Sequence, residues 1–227
     1  MKYVVVLAVL SVVILGYSVI PSFGLRYVGK SRQRKDKKVL YLTFDDGPSE
    51  YTAALLRLLA KYEIKASFFV VSDFVRQYPD LISRMKREGH MIGIHSAKHQ
   101  NALFRGDKFS YTDLAASIFN LKKLGVDAVY YRPPWGHLNL FTLYWVKKLN
   151  LKLVFWDVMA QDWERKATPD TIENKLLDRI YSGAIICLHD GRGAKGAPGK
   201  TIKALEKTIP LLLNQGYQFE RLDNNGA

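Results

Sequence analysis

Two adjacent carboxylates stand in the stretch YLTFDDGPS, where Asp45 and Asp46 end an apolar run and precede Gly47 and Pro48. Carboxylates can bind a metal ion or take a proton from water, so this pair could take part in metal or acid–base chemistry. Gly and Pro favour a sharp turn, from which the two side chains can project in different directions. Neighbouring acids in a turn are more often only a solvated loop, so a functional interpretation needs further residues.

The segment HSAKH supplies two imidazoles, His95 and His99, four residues apart. In a helical turn this spacing points both rings the same way, so they could share one metal ion. A carboxylate from a neighbouring loop would complete a catalytic zinc set with positions open for water and substrate. One of the two aspartates could serve as that ligand, and the other could take the proton from metal-bound water. The spacing alone is weak evidence, because it also occurs by chance.

Short apolar runs alternate with amphipathic stretches from residue 38 onward. Stretches such as 51–62 and 110–125 are predicted to be helices, the second with Gly125 as its C-terminal cap. The predicted strands cover residues 38–44, 65–71, 90–95, 128–132, 152–156, 184–189 and 217–222. This alternation is typical of βα units around a parallel sheet or barrel.

Polar residues suited to chemistry follow the carboxyl ends of five predicted strands. Besides the two acids and the two histidines, Arg132 begins the segment RPPWG after the fourth strand. The pair Asp162 and Trp163 follows the fifth strand, and His189 and Asp190 follow the sixth. Parallel α/β barrels have their active sites at this end of the strands, so we expect five loops to converge on one face.

This arrangement resembles the polysaccharide deacetylases, carbohydrate esterase family 4, with their NodB-type homology domain. The resemblance covers residues 38 to about 222 and rests on five motifs in order: TFDDG at 43–47, HSxxH at 95–99, RPPWG at 132–136, an Asp-Trp pair at 162–163 and a histidine at 189. Each motif is weak alone, whereas five in order at loop positions are specific. The resemblance implies an α/β fold, a distorted (β/α) barrel with about seven parallel strands, in one catalytic domain over residues 38–223.

The resemblance also implies a role for each matching residue. Asp45 would be the general base, and Asp46, His95 and His99 would bind a divalent metal ion, with Zn²⁺ favoured over Co²⁺, Mn²⁺ or Ni²⁺. Arg132 would orient Asp45. Such an ion lowers the pKa of bound water towards about 7 and polarises the acetyl carbonyl, so an ordinary carboxylate could activate the water.

The leaving nitrogen needs a proton, and the resemblance gives this task to His189 with Asp162 behind it. An imidazole paired with a carboxylate has a raised pKa and stays charged, so it can donate a proton. Trp163 and Leu188 would form an apolar wall that fits a methyl group, and the backbone N–H of Trp135 would help to bind the oxyanion. The implied substrate-binding residues are Pro133, Trp135, Trp163, Leu188 and Cys187.

Two positions depart from the family pattern. Many members carry an acid three residues before the equivalent of Asp162, where this sequence has Met159, and Asp157 need not replace it. The support of Arg132 is therefore in question. Cys187 stands where a leucine is usual, which predicts a slightly roomier acetyl pocket. As a thiol inside a buried strand, Cys187 is expected to be inert.

Other residues near the motifs have simpler interpretations. His137 is expected to cap a helix near the site, with a substrate contact as the alternative, and Trp156 is expected to lie in the core. The loop at 191–200 is Gly-rich and basic, but it lacks the spacing of a phosphate-binding loop. We interpret it as a flexible rim that meets an anionic polymer.

The amino terminus has the composition of a membrane segment. Residues 3–20 carry no charge, and the uncharged run continues as far as Arg26. A convincing cleavage site is missing, so residues 1–25 are predicted to be a membrane anchor, a single transmembrane helix, rather than a removed signal peptide. Residues 26–37 are a basic linker that could lie on anionic lipid headgroups.

The orientation of the chain in the membrane has conflicting signals. We expect a single-pass protein of the cell membrane whose catalytic domain faces the cell wall. The basic linker favours the opposite orientation by the positive-inside rule, and Lys2 opposes it only weakly.

Composition narrows the possible partners. The chain has 227 residues and a formal net charge of +13, which favours contact with something anionic. Its single cysteine excludes an internal disulfide. The expected partners are an acetylated glycan and the membrane, with no nucleic acid and with the chain as a monomer. A role in binding nucleic acid would rest on charge alone.

The expected function is a metal-dependent hydrolase that removes acetyl groups from N-acetylglucosamine or N-acetylmuramic acid in a cell-wall polysaccharide. Peptidoglycan is favoured by the membrane segment and the basic charge. The alternatives are a catalytically weak, membrane-tethered relative that only binds glycan, and an O-acetyl esterase on another polysaccharide. A serine hydrolase is disfavoured because the sequence has no G-x-S-x-G elbow.

Overall fold

One parallel sheet organises the chain. The structure, a computed structural model, describes residues 3–4, 11–29 and 38–225. The strands are β1 Val39–Asp45, β2 Ser67–Val70, β3 Met91–Ile94, β4 Tyr130–Tyr131, β5 Lys152–Leu153, β6 Val158–Met159, β7 Ile185–His189 and β8 Gln218–Glu220. Seven of them follow the order β5-β4-β3-β2-β1-β7-β6, and β8 pairs with β1 beside this path.

The sheet confirms the expected parallel α/β architecture, in the form of an open barrel. All seven strand pairings are parallel. Within the described part of the chain, β5 and β6 end the path without pairing to each other. Each predicted strand is present, although several are shorter than expected. The strand β6 was not predicted, because two residues are too short for an alternating pattern.

Helices cover the outer face of the sheet. Their bounds are α1 Ile20–Gly29, α2 Thr52–Lys61, α3 Ser72–Val75, α4 Pro79–Arg87, α5 Asp107–Lys122, α6 Leu140–Lys148, α7 Pro169–Arg179 and α8 Ala197–Asn214. The two helices predicted from the sequence correspond to α2 and α5. Gly125, with a φ of 68°, supplies the left-handed residue that follows the end of α5, as expected.

The side chains of β1 point alternately to the two faces of the sheet, where the surroundings differ. All seven of its residues are buried, as in a central strand of a parallel sheet. Leu40, Leu42 and Phe44 belong to the large core under the helices, whereas Val39 and Tyr41 belong to a small core on the other face. Because side chains alternate with a period of two, Thr43 and Asp45 continue the second face. Asp45 therefore ends its strand inside the barrel.

A helix of the amino-terminal segment packs on the domain. A π-helical turn at Leu15–Val19 leads into α1. The hydroxyl of Ser22 donates to the backbone carbonyl of Leu138 at 2.8 Å and accepts from its N–H at 3.0 Å. The hydroxyl of Tyr17 donates to the carbonyl of Arg105 at 2.5 Å. The segment thus contacts the loops that precede α5 and α6.

Among the described residues, no helix is both long and apolar enough to cross a bilayer. Residues 5–10 of the predicted span and 30–37 of the basic linker lie outside the described residues. The membrane anchor, the linker and their orientation therefore stay predictions.

Candidate active site

Three predicted metal ligands converge at the carboxyl end of the sheet. Asp46 follows β1 directly, and His95 and His99 lie in the loop after β3. Oδ1 of Asp46 is 2.9 Å from Nε2 of His99 and 3.4 Å from Nε2 of His95. Their ligand atoms all lie within 4.8 Å of one another, and all three residues are buried. This set of one carboxylate and two imidazoles is suited to a divalent transition metal.

The protonation of these groups also suits a cation. Burial raises the pKa of Asp46, but its interactions with His95 and His99 outweigh burial and hold the pKa well below its ordinary value. Nδ1 of His95 lies 2.7 Å from the carbonyl of Arg132 and therefore carries the proton, which leaves Nε2 free to bind metal. Within the described part of the chain, Oδ1 of Asp46 is buried without a hydrogen-bond partner. A metal ion would satisfy that oxygen, so the residues fit the group that the family resemblance implies.

The loop that carries His95 and His99 is held in place by Asp113 of α5. One carboxylate oxygen of Asp113 accepts from the hydroxyl of Ser96 at 2.9 Å and from the N–H of Ala97 at 3.0 Å. Burial raises the pKa of Asp113, and these hydrogen bonds oppose the rise. The sequence analysis missed this residue, because an acid in a helix 14 positions after His99 carries no local signal.

Arg132 holds the second aspartate, Asp45, beside the metal ligands. Its side chain is fully buried, and Nη1 donates to Oδ1 of Asp45 at 2.8 Å and to the hydroxyl of Thr43 at 2.7 Å. Nη2 donates to the carbonyl of Phe155 at 3.1 Å. Oδ2 of Asp45 accepts from the Cys187 thiol at 3.3 Å. Arg132 is therefore placed to form a charge-assisted hydrogen bond with Asp45 and to fix its orientation.

The substitution at Met159 has a visible consequence. Nε of Arg132 is a buried donor without a hydrogen-bond partner in the described ranges. Asp157 does not supply the missing acceptor, because its Oδ2 accepts from the backbone N–H of Ile185 at 2.9 Å. Met159 instead lines the cleft. Arg132 is thus supported by Thr43 and a carbonyl rather than by a second acid.

His189, the last residue of β7, pairs with Asp162, and one of its ring nitrogens lies within 4.8 Å of a carboxylate oxygen of Asp45. Its Nδ1 lies 2.8 Å from Oδ1 of Asp162, which is fully buried. Oδ2 of Asp162 accepts from the His189 N–H and from the hydroxyl of Thr201, each at 2.8 Å. Burial lowers the pKa of His189, but the charge of Asp162 and its hydrogen bond outweigh burial and raise the pKa to about 9. The imidazole is therefore charged at neutral pH.

Asp190 supports the turn that contains the two acids. Its carboxylate accepts from the hydroxyl of Thr52 at 2.5 Å, and its carbonyl accepts from the hydroxyl of Ser49. Burial raises its pKa to about 7, with Asp46 adding to the rise and Thr52 opposing it. A Cβ on Gly47 would lie 2.2 Å from an oxygen of this carboxylate, so the turn requires glycine there.

These groups line one cleft of about 440 Å³, a volume within the usual range for a small-molecule site. The ring of Trp135 packs edge-on against His99 at 4.3 Å, and that of Trp163 packs edge-on against His189 at 4.9 Å. The cleft is lined by Asp45, Asp46, His95, His99, Trp135, His137, Trp156, Met159, Trp163, Cys187, His189, Arg192 and Gly193.

Two residues predicted to bind substrate do not line this cleft. Leu188 is fully buried in the large core under the helices. The reason is strand alternation: Cys187 and His189 face the interior of the barrel with Thr43 and Asp45, so Leu188 faces the helices. Pro133 is buried before the 3-10 turn at Pro134–Gly136 and does not reach the cleft. The predicted apolar wall therefore lacks Leu188.

Several cleft residues were not predicted to be part of the site. Trp156 was expected in the core, and it is buried but also lines the cleft. His137 is the C-cap of the 3-10 turn at Pro134–Gly136, as expected, and it also lines the cleft. Met159 and Arg192 were not predicted as lining residues. The sequence offered one signal for Arg192, its position two residues after the Asp that follows His189.

Comparisons with known proteins agree with this geometry. The family model for polysaccharide deacetylases matches residues 32–154. The chain is 32% identical over 189 residues to a peptidoglycan-N-acetylglucosamine deacetylase of Bacillus cereus, which covers 82% of this chain and 68% of that protein. It is 31% identical over 212 residues to the peptidoglycan-N-acetylmuramic acid deacetylase PdaA of Bacillus subtilis, which covers 91% of this chain and 77% of that protein.

A solved structure extends the similarity to three dimensions. The crystal structure of the Bc1960 peptidoglycan N-acetylglucosamine deacetylase superposes with a TM-score of 0.79 at 30% sequence identity. The match covers 85% of this chain and 89% of that chain. Sequence and fold thus point to the same family.

Proposed function

Because the chain belongs to the polysaccharide deacetylase family, we propose that it is a metal-dependent hydrolase that removes acetyl groups from N-acetylated sugars of a cell-wall polysaccharide. The two peptidoglycan deacetylases that it resembles favour peptidoglycan as the polymer, and either N-acetylglucosamine or N-acetylmuramic acid as the sugar. The observation that carries the proposal is one cleft with a three-residue metal set between an arginine-held carboxylate and a carboxylate-held imidazole.

Different residues of the cleft carry out the two proton transfers of the reaction. A divalent ion held by Asp46, His95 and His99, with Zn²⁺ favoured, would supply a lowered water pKa and a polarised acetyl carbonyl. Asp45 takes the proton from the attacking water, and Arg132 holds the Asp45 carboxylate in the orientation for this step. The backbone N–H of Trp135 would help to bind the oxyanion.

His189 completes the reaction as the general acid. Breaking the C–N bond leaves an amine that needs a proton, and the charged imidazole can donate it. Asp162 holds the ring through Nδ1, so Nε2 is the nitrogen that can donate towards the substrate. Trp163 packs against the same ring and fixes its orientation further.

A second candidate is a glycan-binding relative with weak or no catalysis. The unpartnered Nε of Arg132 favours it, because an arginine without its usual second acid holds Asp45 less firmly. The complete metal set and the charged His189 favour catalysis, since a pure binder needs neither.

Acetate release tests the proposal. The full chain, purified in mild detergent and stripped of metal, would be assayed on peptidoglycan fragments and on chitin oligomers before and after loading with Zn²⁺, Co²⁺, Mn²⁺ or Ni²⁺. We expect release only after loading, and a loss of at least about a thousandfold in Asp45→Asn, because the water then has no base. The O-acetyl esterase alternative predicts release from O-acetylated fragments alone.

Circular dichroism and glycan-binding titrations serve as controls in that experiment. A folded, metal-loaded chain that binds glycan saturably but releases no acetate would support the binding relative instead. Full activity in Asp45→Asn would contradict the assignment of the base.

We also propose that the chain is a single-pass protein of the cell membrane, acts as a monomer and has its catalytic domain towards the cell wall. The uncharged run of residues 3–20 supports the membrane location, and a wall substrate supports the orientation. Reporter fusions at the carboxyl terminus would test it: activity of a reporter that functions only in the cytoplasm would reverse the orientation.

A further inference from the structure

Arg192 places a positive charge at the mouth of the cleft. Among the described residues that line the cleft, it is the one arginine or lysine. Its side chain is 41% exposed, and Nε lies 4.0 Å from Oδ2 of Asp46, at the outer limit of an ion pair. Arg132, the other nearby guanidinium, is fully buried and donates to Asp45, Thr43 and a carbonyl. Arg192 is thus the guanidinium in the cleft that can reach a substrate.

The loop around Arg192 is locked in place by close backbone contacts. A Cβ on Gly191 would lie 2.2 Å from the carbonyl oxygen of Asp46, and one on Gly193 would lie 3.0 Å from Trp163. Arg192 itself has a φ of 55°, in the left-handed region that a non-glycine residue adopts only at a cost. These contacts define the backbone position of Arg192, whereas the flexibility expected of the loop at 191–200 stays a prediction.

Strain of this kind concentrates around the cleft. Asp46, His99 and Trp135 also have φ values between 52° and 72°, and all three line the cleft. Residues in this conformation persist where the surrounding structure holds them, often at ligand-binding sites. Arg192 belongs to this group by conformation and by position, and it has no place in the metal set or in either proton-transfer pair.

We infer that Arg192 forms an anion subsite that binds a carboxylate carried by the glycan close to the acetamido group being hydrolysed. The inference rests on the proposed deacetylase function and narrows its substrate to an acidic N-acetylated sugar. In N-acetylmuramic acid the lactyl group, which ends in a carboxylate, is joined through an ether oxygen to the ring carbon next to the one that bears the acetamido nitrogen. An arginine beside a metal ligand is therefore at the correct range for such a group, whereas N-acetylglucosamine offers it only hydroxyls.

A carboxylate on a stem peptide has the same chemistry, so the test uses three substrates. They are peptide-free peptidoglycan strands with free lactyl carboxylates, the same strands with those carboxylates converted to amides, and peptide-bearing strands. For the metal-loaded full chain, kcat/KM and the binding affinity would be measured on each, and mass spectrometry would identify the deacetylated sugar.

The variants are Arg192→Gln, Arg192→Lys and Lys195→Gln. Lys195 is an exposed cation of the same loop that does not line the cleft, so its loss controls for overall charge. We expect the ratio of kcat/KM for carboxylate over amide strands to fall about tenfold or more in Arg192→Gln, mainly through KM. Arg192→Lys should recover part of the ratio, and Lys195→Gln should keep it.

The outcomes separate this inference from the proposed function. Arg192→Gln would overturn the subsite if it changed neither this ratio nor the preference for peptide-bearing strands, and so would an equal fall of the ratio in Lys195→Gln. A preference that Arg192 confers only on peptide-bearing strands would support the subsite and assign the carboxylate to the peptide. If the wild type releases no acetate from any substrate, the proposed function fails. The binding titrations then still test the subsite, because they need no catalysis.

Discussion

Asp45 and Asp46 are neighbours in the chain with different tasks because they end a strand and begin a turn. Asp45 is the last residue of β1 and keeps the inward direction of its alternation, which places it against Arg132. Asp46 turns away with a φ of 72° and faces the two imidazoles. Gly47 permits the turn because any side chain there would overlap Asp190. One residue of separation thus gives the two carboxylates the different surroundings that the proposed base and the proposed metal ligand need.

His189 gives a prediction for pH at the scale of single residues. A general acid must be protonated, and the pKa of His189 is about 9, so activity is expected to persist at neutral pH and to fall as pH rises through about 9. In Asp162→Asn, burial lowers that pKa against the weaker effects of Asp46 and Asp45 alone, so the alkaline limb should move down by about two pH units. Profiles of kcat/KM against pH, with an NMR titration of His189, would measure the shift.

Asp170→Asn is the matched control for that prediction, because it removes a carboxylate from an exposed pair with Lys207. Its profile should coincide with the wild type. An alkaline limb that stays in place in Asp162→Asn would contradict the assignment of His189. The stability of the fold should depend on pH in the same direction. Because the pKa of His189 is higher in the folded than in the unfolded chain, its protonation stabilises the fold fully below about pH 6.5, the pKa in the unfolded chain. This contribution is lost as pH rises through about 9.

At the scale of elements, the site depends on loops that neighbouring elements hold rigid. The loop after β3 is fixed by Asp113 of α5, and the loop after β7 is fixed against Asp46 and Trp163. The strands set the direction in which each loop leaves the sheet, and these contacts fix where the loop lies. Metal ligands that come from two loops can keep their geometry only when both loops are held in this way.

Asp113→Ala tests the support of the histidine loop. The change leaves the hydroxyl of Ser96 and the N–H of Ala97 without their acceptor, at a cost of about 1–3 kcal/mol for each buried donor. We expect Zn²⁺ affinity to fall about tenfold, measured by titration calorimetry. Asp127→Ala, at an exposed position after the same helix, should leave the affinity unchanged. Equal affinity in the two variants would exclude a positioning role for Asp113.

Gly191→Ala tests the loop after β7. The new Cβ would lie 2.2 Å from the carbonyl oxygen of Asp46, so the backbone of the metal ligand must shift. We expect weaker metal binding and a drop of several degrees in Tm. Gly106→Ala is the control, because no atom lies within 4 Å of its new Cβ and its φ of −84° is ordinary. A variant at Gly191 with wild-type metal affinity would show that this contact is dispensable.

At the scale of the whole molecule, the amino-terminal segment is packed against the catalytic domain near the cleft. Phe23 of α1 lies 6.4 Å from the ring of His137, which lines the cleft, and Tyr17 packs edge-on against Phe141 at 6.0 Å. The two hydrogen bonds of Ser22 to Leu138 join α1 to the backbone just before α6. The position of the segment is therefore linked to one wall of the site.

Ser22→Ala is expected to loosen this contact. Leu138 loses the acceptor for its buried N–H, so its amide should exchange faster with solvent, by about fivefold for a loss near 1 kcal/mol. Hydrogen exchange with mass spectrometry on peptides around Leu138 would measure it in the full chain. Ser18→Ala removes a hydroxyl that, among the described residues, donates only to the carbonyl of Ile14 in its own segment, so it should not change those peptides. Equal exchange in wild type and Ser22→Ala would mean that the segment does not dock.

The sequence by itself determined the chemistry and the order of the elements. Motifs identify Asp45, Asp46, His95, His99 and His189 because metal binding and proton transfer need particular side chains at loop positions. The alternation of apolar runs with amphipathic stretches predicts a parallel sheet, because a buried strand and a helix face each have their own periodicity. The ends of the helices and strands were predicted less accurately. The strand β6 was not predicted, because two residues are too few to show a hydrophobic period.

Only the tertiary structure decided which side chains meet. It turned Leu188 away from the cleft, because the strand register fixes the face of every residue in β7. It brought Asp113 under the histidine loop and Arg192 over the cleft, because these contacts join segments that are distant in the chain. It also left Nε of Arg132 without a partner, which follows from Met159 only once the neighbours of the guanidinium are known. Side-chain chemistry is local, whereas its placement depends on the packing of the whole sheet.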